Sequence, residues 1–148
     1  MPMRMLSLLA AAMLWASPAF AAAETSIEVW KTDNCRCCID WVKHLEANGF
    51  VPKVNSADNA ALDRLKTQLG IGEKLASCHT AKIGPYAIEG HVPAADIERL
   101  MAEQPEAIGL TVPGMPVGTP GMEQGDVVEP YDVLLIKKDG TTEIFASH

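Results

Sequence analysis

Ser26-Ile27-Glu28-Val29-Trp30-Lys31-Thr32-Asp33-Asn34-Cys35-Arg36-Cys37-Cys38 is the stretch that decides the fold. Residues 26–30 alternate apolar and polar side chains, as a half-buried strand does. Asp33-Asn34-Cys35 then reads as a turn or cap. From Arg36 to Asn48 the apolar residues Ile39, Val42 and Leu45, with Trp41 beside them, follow helical spacing, and Gly49 closes the helix. A C-x-x-C pair, Cys35 and Cys38, thus lies between a strand and a helix, with Cys37 inserted. That order is the thioredoxin-like arrangement.

The rest of the chain extends this unit. Phe50-Val51-Pro52-Lys53-Val54 reads as an edge or early strand because of its proline. Asp58 to Leu69 reads as a second helix, with Leu62, Leu65 and Leu69 on one face and Gly70 ending it. Ala81–Ile83 and Tyr86–Glu89 read as two strands around Gly84-Pro85. Pro93 to Ala102 reads as a third helix, with Ile97, Leu100 and Met101 inward. Val112 to Glu129 carries Pro113, Gly114, Pro116, Gly118, Pro120, Gly121 and Gly125, and is a loop. Loops of that length in a compact domain are usually functional. Tyr131–Ile136 and Thr142–Ala146 form a hairpin around Lys138-Asp139-Gly140. The predicted class is α/β: a thioredoxin-like β-α-β-α-β-β-α order, then a Gly/Pro/Met loop and a β-hairpin.

The first residues are an address and no part of this fold. Arg4 precedes an apolar run, Leu6 to Ala16, and Ala19-Phe20-Ala21 fits a small-x-small cleavage site. Residues 1–22 are read as a signal peptide and 23–148 as one metal-binding domain. The apolar run is too short to span a bilayer, which takes about 20 residues, so no span remains after cleavage. The expected location is periplasmic, where disulfides can form.

Composition narrows the function. The 148 residues carry 19 acidic and 12 basic side chains, a net charge of −7 that becomes −8 once Arg4 is removed. Such a chain repels phosphate, which argues against nucleic acid. A hydrophobic share of 48 % is enough for a packed core without staples.

The four cysteines carry the chemistry. Helix-start amides and the positive end of the helix dipole stabilise a thiolate, and Arg36 adds charge. In a thioredoxin-like topology the Cys78-His79-Thr80 loop faces that helix start, so Cys78 is expected near Cys35 and Cys38. Three readings compete. Two structural disulfides are possible, although a Cys37–Cys38 pairing would be strained. A dithiol oxidoreductase would use Cys35 and Cys38 as its catalytic pair, with Cys37 and Cys78 awkward extras. The favoured reading is metal binding by three or four thiolates. Thiolates with thioethers select Cu(I), and three sulfurs within four residues suit bridging in a multinuclear Cu(I) cluster better than one tetrahedral zinc.

Met115 and Met122 sit in the Gly/Pro loop without helical spacing. They read either as gap-filling side chains or as weak thioether ligands on a cover over the sulfurs. His79 adjoins Cys78 and is the best histidine candidate for a ligand. His91, at a strand-to-helix junction, reads first as a capping or backbone-bonding residue, with a place in the site as the alternative. His44 and His148 are expected to face solvent.

Taken in order, Val29-Trp30-Lys31 with Cys35-Arg36-Cys37-Cys38, Ser77-Cys78-His79-Thr80, Tyr86-Ala87-Ile88-Glu89-Gly90-His91-Val92-Pro93, and Gly114-Met115-Pro116 with Gly118-Thr119-Pro120-Gly121-Met122-Glu123 resemble one family. It is the CopG-type periplasmic copper-resistance proteins of bacteria, once labelled only as a domain of unknown function. The resemblance spans residues 25 to 147. It implies a thioredoxin-like fold and copper binding by Cys35, Cys37, Cys38 and Cys78, with His79, Met115 and Met122 as further candidate ligands. It also implies periplasmic copper handling alongside other copper-handling proteins, which could extend to interconversion of Cu(I) and Cu(II).

Overall fold

A computed structural model of the chain describes residues 25–148. The expected signal peptide, residues 1–22, lies outside the described residues. Strand β1 (Thr25–Lys31) is followed by helix α1 (Arg36–Ala47), β2 (Phe50–Ser56) and α2 (Asn59–Leu69). A single 3-10 turn (Glu73–Leu75) leads to β3 (Thr80–Ile83), β4 (Tyr86–Glu89), α3 (Ala94–Glu103) and β5 (Ala107–Thr111). The Gly/Pro loop and the hairpin β6 (Asp132–Lys137) and β7 (Thr142–Ser147) complete the order. No helix among the described residues is long and apolar enough to cross a membrane.

The seven strands form one mixed sheet in the order β2-β1-β3-β4-β5-β6-β7. β1 pairs parallel with β2 and antiparallel with β3, and β4 pairs parallel with β5. Pro52 lies on an edge strand, as its ring and missing amide hydrogen lead one to expect.

Strand β5 is the element that residue patterning did not resolve. Its run Ala107-Ile108-Gly109-Leu110-Thr111 has a glycine at its centre, which normally weakens a strand. Here the missing side chain is what permits pairing: a Cβ on Gly109 would overlap the Ala87 carbonyl of the neighbouring strand. The register also slips between Ala107 and Gly109 against β6.

Helix α1 turns a slightly different face inward than expected. Cys38, Trp41, Val42 and Leu45 are buried, while Ile39 is exposed. Trp41 anchors the helix, its indole Nε1–H donating to the Val92 carbonyl at 2.9 Å. Asp58 caps α2 by accepting the Ala61 amide at 2.7 Å. Pro93 is the N-cap residue of α3, one position before its helical residues begin. His44 does not face open solvent. It is half-buried, and its Nε2 accepts the Ala94 N–H at 3.0 Å, satisfying an unpaired amide at the start of α3. His148 is exposed as expected, although its ring stacks on Tyr131 and lies 2.8 Å from the Asp96 carboxylate.

Candidate metal centre

Cys35 is the N-cap residue of α1 and makes no side-chain cap bond. Its sulfur is therefore not spent on capping, while Cys37 and Cys38 occupy the first turn, beside amides that have no helical acceptor. Cys35 and Cys38 are joined as a disulfide, with Cα atoms 5.3 Å apart; Cys37 and Cys78 are free thiols. Among the described residues the two-disulfide arrangement is thus not formed.

Cys78 does reach the helix start. The Cys37 Sγ lies 3.6 Å from Cys35 Sγ and 3.8 Å from Cys78 Sγ. All four sulfurs lie within 4.8 Å of one another. Sequence separation hides this: Cys78 is 41 residues from Cys37, and the β1–β3 pairing brings the two loops together.

A second donor group shares Cys78. Its sulfur is 3.3 Å from His79 Nδ1 and 3.2 Å from His91 Nε2, and the three ligand atoms lie within 4.8 Å of one another. His79 is fully buried against the Trp41 ring, with centroids 4.3 Å apart, and its Nε2 has no hydrogen-bond partner among the described residues. Burial, then the neighbouring His91 and Lys66, hold its pKa well below the ordinary value, so the ring is neutral. Burial likewise lowers His91. Cys78 itself is pushed up to about 12, by burial first and then by the Cys37 sulfur. Without a metal or another cation it stays a thiol at neutral pH.

His91 is the residue that the linear pattern ranked too low. Its Nδ1 donates to the Pro120 carbonyl at 2.8 Å. A carbonyl only accepts, so Nδ1 carries the hydrogen and Nε2 keeps a lone pair aimed at Cys78. The signal available in the sequence was its place in Glu89-Gly90-His91, just past the end of the strand whose Glu89 pairs with Thr80, next to Cys78-His79.

The Gly/Pro loop lies against this site. Pro120 binds His91, and Gly121 packs so tightly that a Cβ would come within 2.7 Å of the Cys37 carbonyl oxygen and the Trp41 nitrogen. Gly114 accepts the Ser77 hydroxyl and donates its amide to the Ala76 carbonyl at 3.2 Å. Thr119 is buried. The two methionines fare differently: Met122 is half-buried beside Gly121, whereas Met115 is 51 % exposed.

Four sulfurs and two neutral imidazoles at this spacing make a soft donor set able to hold a metal ion. Comparison with known proteins agrees. No curated protein matches the chain. A family described as a protein of unknown function, DUF411, matches residues 75–122, which include Cys78, His79, His91 and the covering loop as far as Met122. A solved structure of copper resistance protein CopG, form 1, is 42 % identical with a TM-score of 0.79, covering 84 % of this chain and 98 % of that one. Form 2 of the same protein is 45 % identical with a TM-score of 0.77 and the same coverage. With that identity along most of its length and the Cys35, Cys37 and Cys38 cluster in place, this chain belongs to the family of the copper resistance protein CopG.

Proposed function

We propose that the protein binds Cu(I) in the periplasm through the thiolates of Cys35, Cys37, Cys38 and Cys78, as part of copper resistance. His79 and His91 stand beside those sulfurs, and Met122 and Met115 belong to the loop over them. One observation carries the reading: the four sulfurs lie within 4.8 Å of one another, and the two imidazoles share Cys78 with them. Thiolates spaced this closely favour sulfur bridging between several Cu(I) ions. The strand order β2-β1-β3-β4, with β3 antiparallel to its neighbours, supports a thioredoxin-like core. Export rests on the reading of residues 1–22 as a signal peptide.

Copper uptake by all four sulfurs needs the Cys35–Cys38 bond open, which takes two electrons and two protons from a reductant such as a dithiol. The reverse step links the site to copper redox chemistry. Closing the disulfide releases two electrons, enough to reduce two Cu(II) ions to Cu(I), with two protons lost. The formed disulfide also favours a second reading, a thiol–disulfide oxidoreductase in which Cys35 and Cys38 exchange electrons with other proteins.

Anaerobic titration of reduced protein with Cu(I), with metal counting, separates the two. Tight uptake of more than one copper per chain, lost in Cys38→Ser, supports the copper reading. Absence of copper uptake together with rapid reduction of a test disulfide transfers the function to thiol exchange. Met115→Ala and Met122→Ala test the loop: weakened copper retention makes them ligands, and unchanged retention returns them to packing.

A further inference from the structure

Lys66, Thr80 and Glu89 form a buried polar network that the donor set does not use. The Lys66 ammonium pairs with Glu89 Oε1 and donates to Thr80 Oγ1 at 2.8 Å, while the Thr80 hydroxyl donates to Glu89 Oε2 at 2.6 Å. The Lys66 and Glu89 side chains are only 9 % and 0 % exposed. Removing both charges from water carries a desolvation cost that their attraction often fails to offset, so a stabilising role alone explains the pair poorly.

Its position suggests another role. Glu89 Oε1 also accepts the Ser77 backbone N–H at 2.7 Å. Ser77 precedes Cys78, Thr80 follows His79, and Glu89 lies on the strand that continues into His91. The network therefore touches the chain on both sides of Cys78-His79 and on the approach to His91. A further tether holds the same segment upstream, where the Thr111 hydroxyl donates to the Leu75 carbonyl at 2.7 Å.

We propose that Glu89, held by Lys66 and Thr80, is a positioning residue for the metal centre: its carboxylate fixes the Ser77 amide and so sets where the Cys78 sulfur stands relative to Cys37 and His91. The inference rests on the reading of Cys78 as a copper ligand. Groups that orient metal ligands without touching the metal have measurable weight, and losing one lowers metal affinity about 10- to 100-fold.

The test is the paired variant Lys66→Met with Glu89→Leu, which removes the network without leaving a buried charge. Three quantities are measured on full-length reduced protein: thermal unfolding, Cu(I) affinity by competition with a chromophoric chelator, and amide hydrogen exchange at Ser77. The expected result is a folded protein with fast Ser77 exchange, an altered copper–thiolate absorption spectrum and Cu(I) affinity lower by about tenfold or more. Lys66→Met with Glu89→Gln, which also removes both charges but keeps a carbonyl acceptor for the Ser77 amide, should restore most of the affinity and the spectrum. A folded double variant with wild-type affinity and spectrum overturns the positioning role while leaving copper binding intact. Wild-type protein that takes up no Cu(I) overturns the ligand reading and this inference with it. If the double variant does not fold, Thr80→Val, which removes one of the two groups holding the Glu89 carboxylate, is measured instead: weaker copper binding with faster Ser77 exchange at unchanged stability supports the role, and wild-type affinity overturns it.

Discussion

The Nε2 of His91 stands 3.2 Å from the sulfur of Cys78, with its lone pair directed there because the opposite ring nitrogen donates to Pro120. One imidazole thus joins the sulfur site to the loop that covers it. His91→Ala removes both contacts and should weaken Cu(I) binding by about 10- to 100-fold. Competition titration against a chromophoric Cu(I) chelator reads this directly. Wild-type affinity in the variant would make His91 a packing residue.

Gly121 is where the cover meets α1. It has φ +89°, a left-handed conformation, and an added Cβ would collide with the Cys37 carbonyl and the Trp41 amide and press on His91 Nδ1 at 3.2 Å. Gly121→Ala therefore combines backbone strain with displacement of the loop, and should destabilise the reduced protein by about 1–3 kcal/mol. Copper retention should fall as well, since Pro120 moves with its neighbour. Chemical denaturation and copper counting on the same sample check both parts; an unchanged midpoint contradicts the tight fit.

Much of this was legible in one dimension. The strand before Cys35 and the helix after it are read from alternation and from the spacing of Trp41, Val42 and Leu45. The four clustered sulfurs follow once that order is granted. Other features depend on contacts made only in three dimensions. Lys66 and Glu89 look like surface charges in sequence, and only the packing of α2 on the sheet shows that each is the other's buried partner. Strand β5 hides behind Gly109, whose lack of a side chain matters only because Ala87 lies against it. Ile39 matches the helical period of α1 yet is exposed, because Cys38 and Trp41 take the inward positions toward the site.

The Cys78 thiol, pushed up to about 12, gives a pH signature. The thiolate is the nucleophile, so alkylation of Cys78 should be slow at pH 8 and keep accelerating well above the ordinary thiol range. The folded protein also holds this proton more tightly than the unfolded chain. Stability is therefore kept below the ordinary thiol value of 9.0 and lost as pH rises from there toward about 12. Mass spectrometry of iodoacetamide-treated protein across pH 7–11 follows the site. A rate that levels off near pH 9 would show that Cys78 ionises as an ordinary thiol.

At the acid end, His44 provides the corresponding effect away from the sulfurs. Its pKa is lowered, mainly by burial, with the Glu123 carboxylate acting in the opposite direction. The neutral ring is the form that accepts the Ala94 N–H. The unfolded chain consequently binds the proton more readily than the folded one, and stability rises with pH across this range. On acidification the contribution begins to fade near the ordinary histidine value of 6.5 and is gone once pH passes below the lowered folded value. The unfolding midpoint should therefore drop between pH 7 and pH 5. In His44→Gln, which cannot take up a proton and keeps a carbonyl acceptor for the Ala94 amide, part of that drop should disappear. Identical pH profiles for the two proteins would remove His44 from the account.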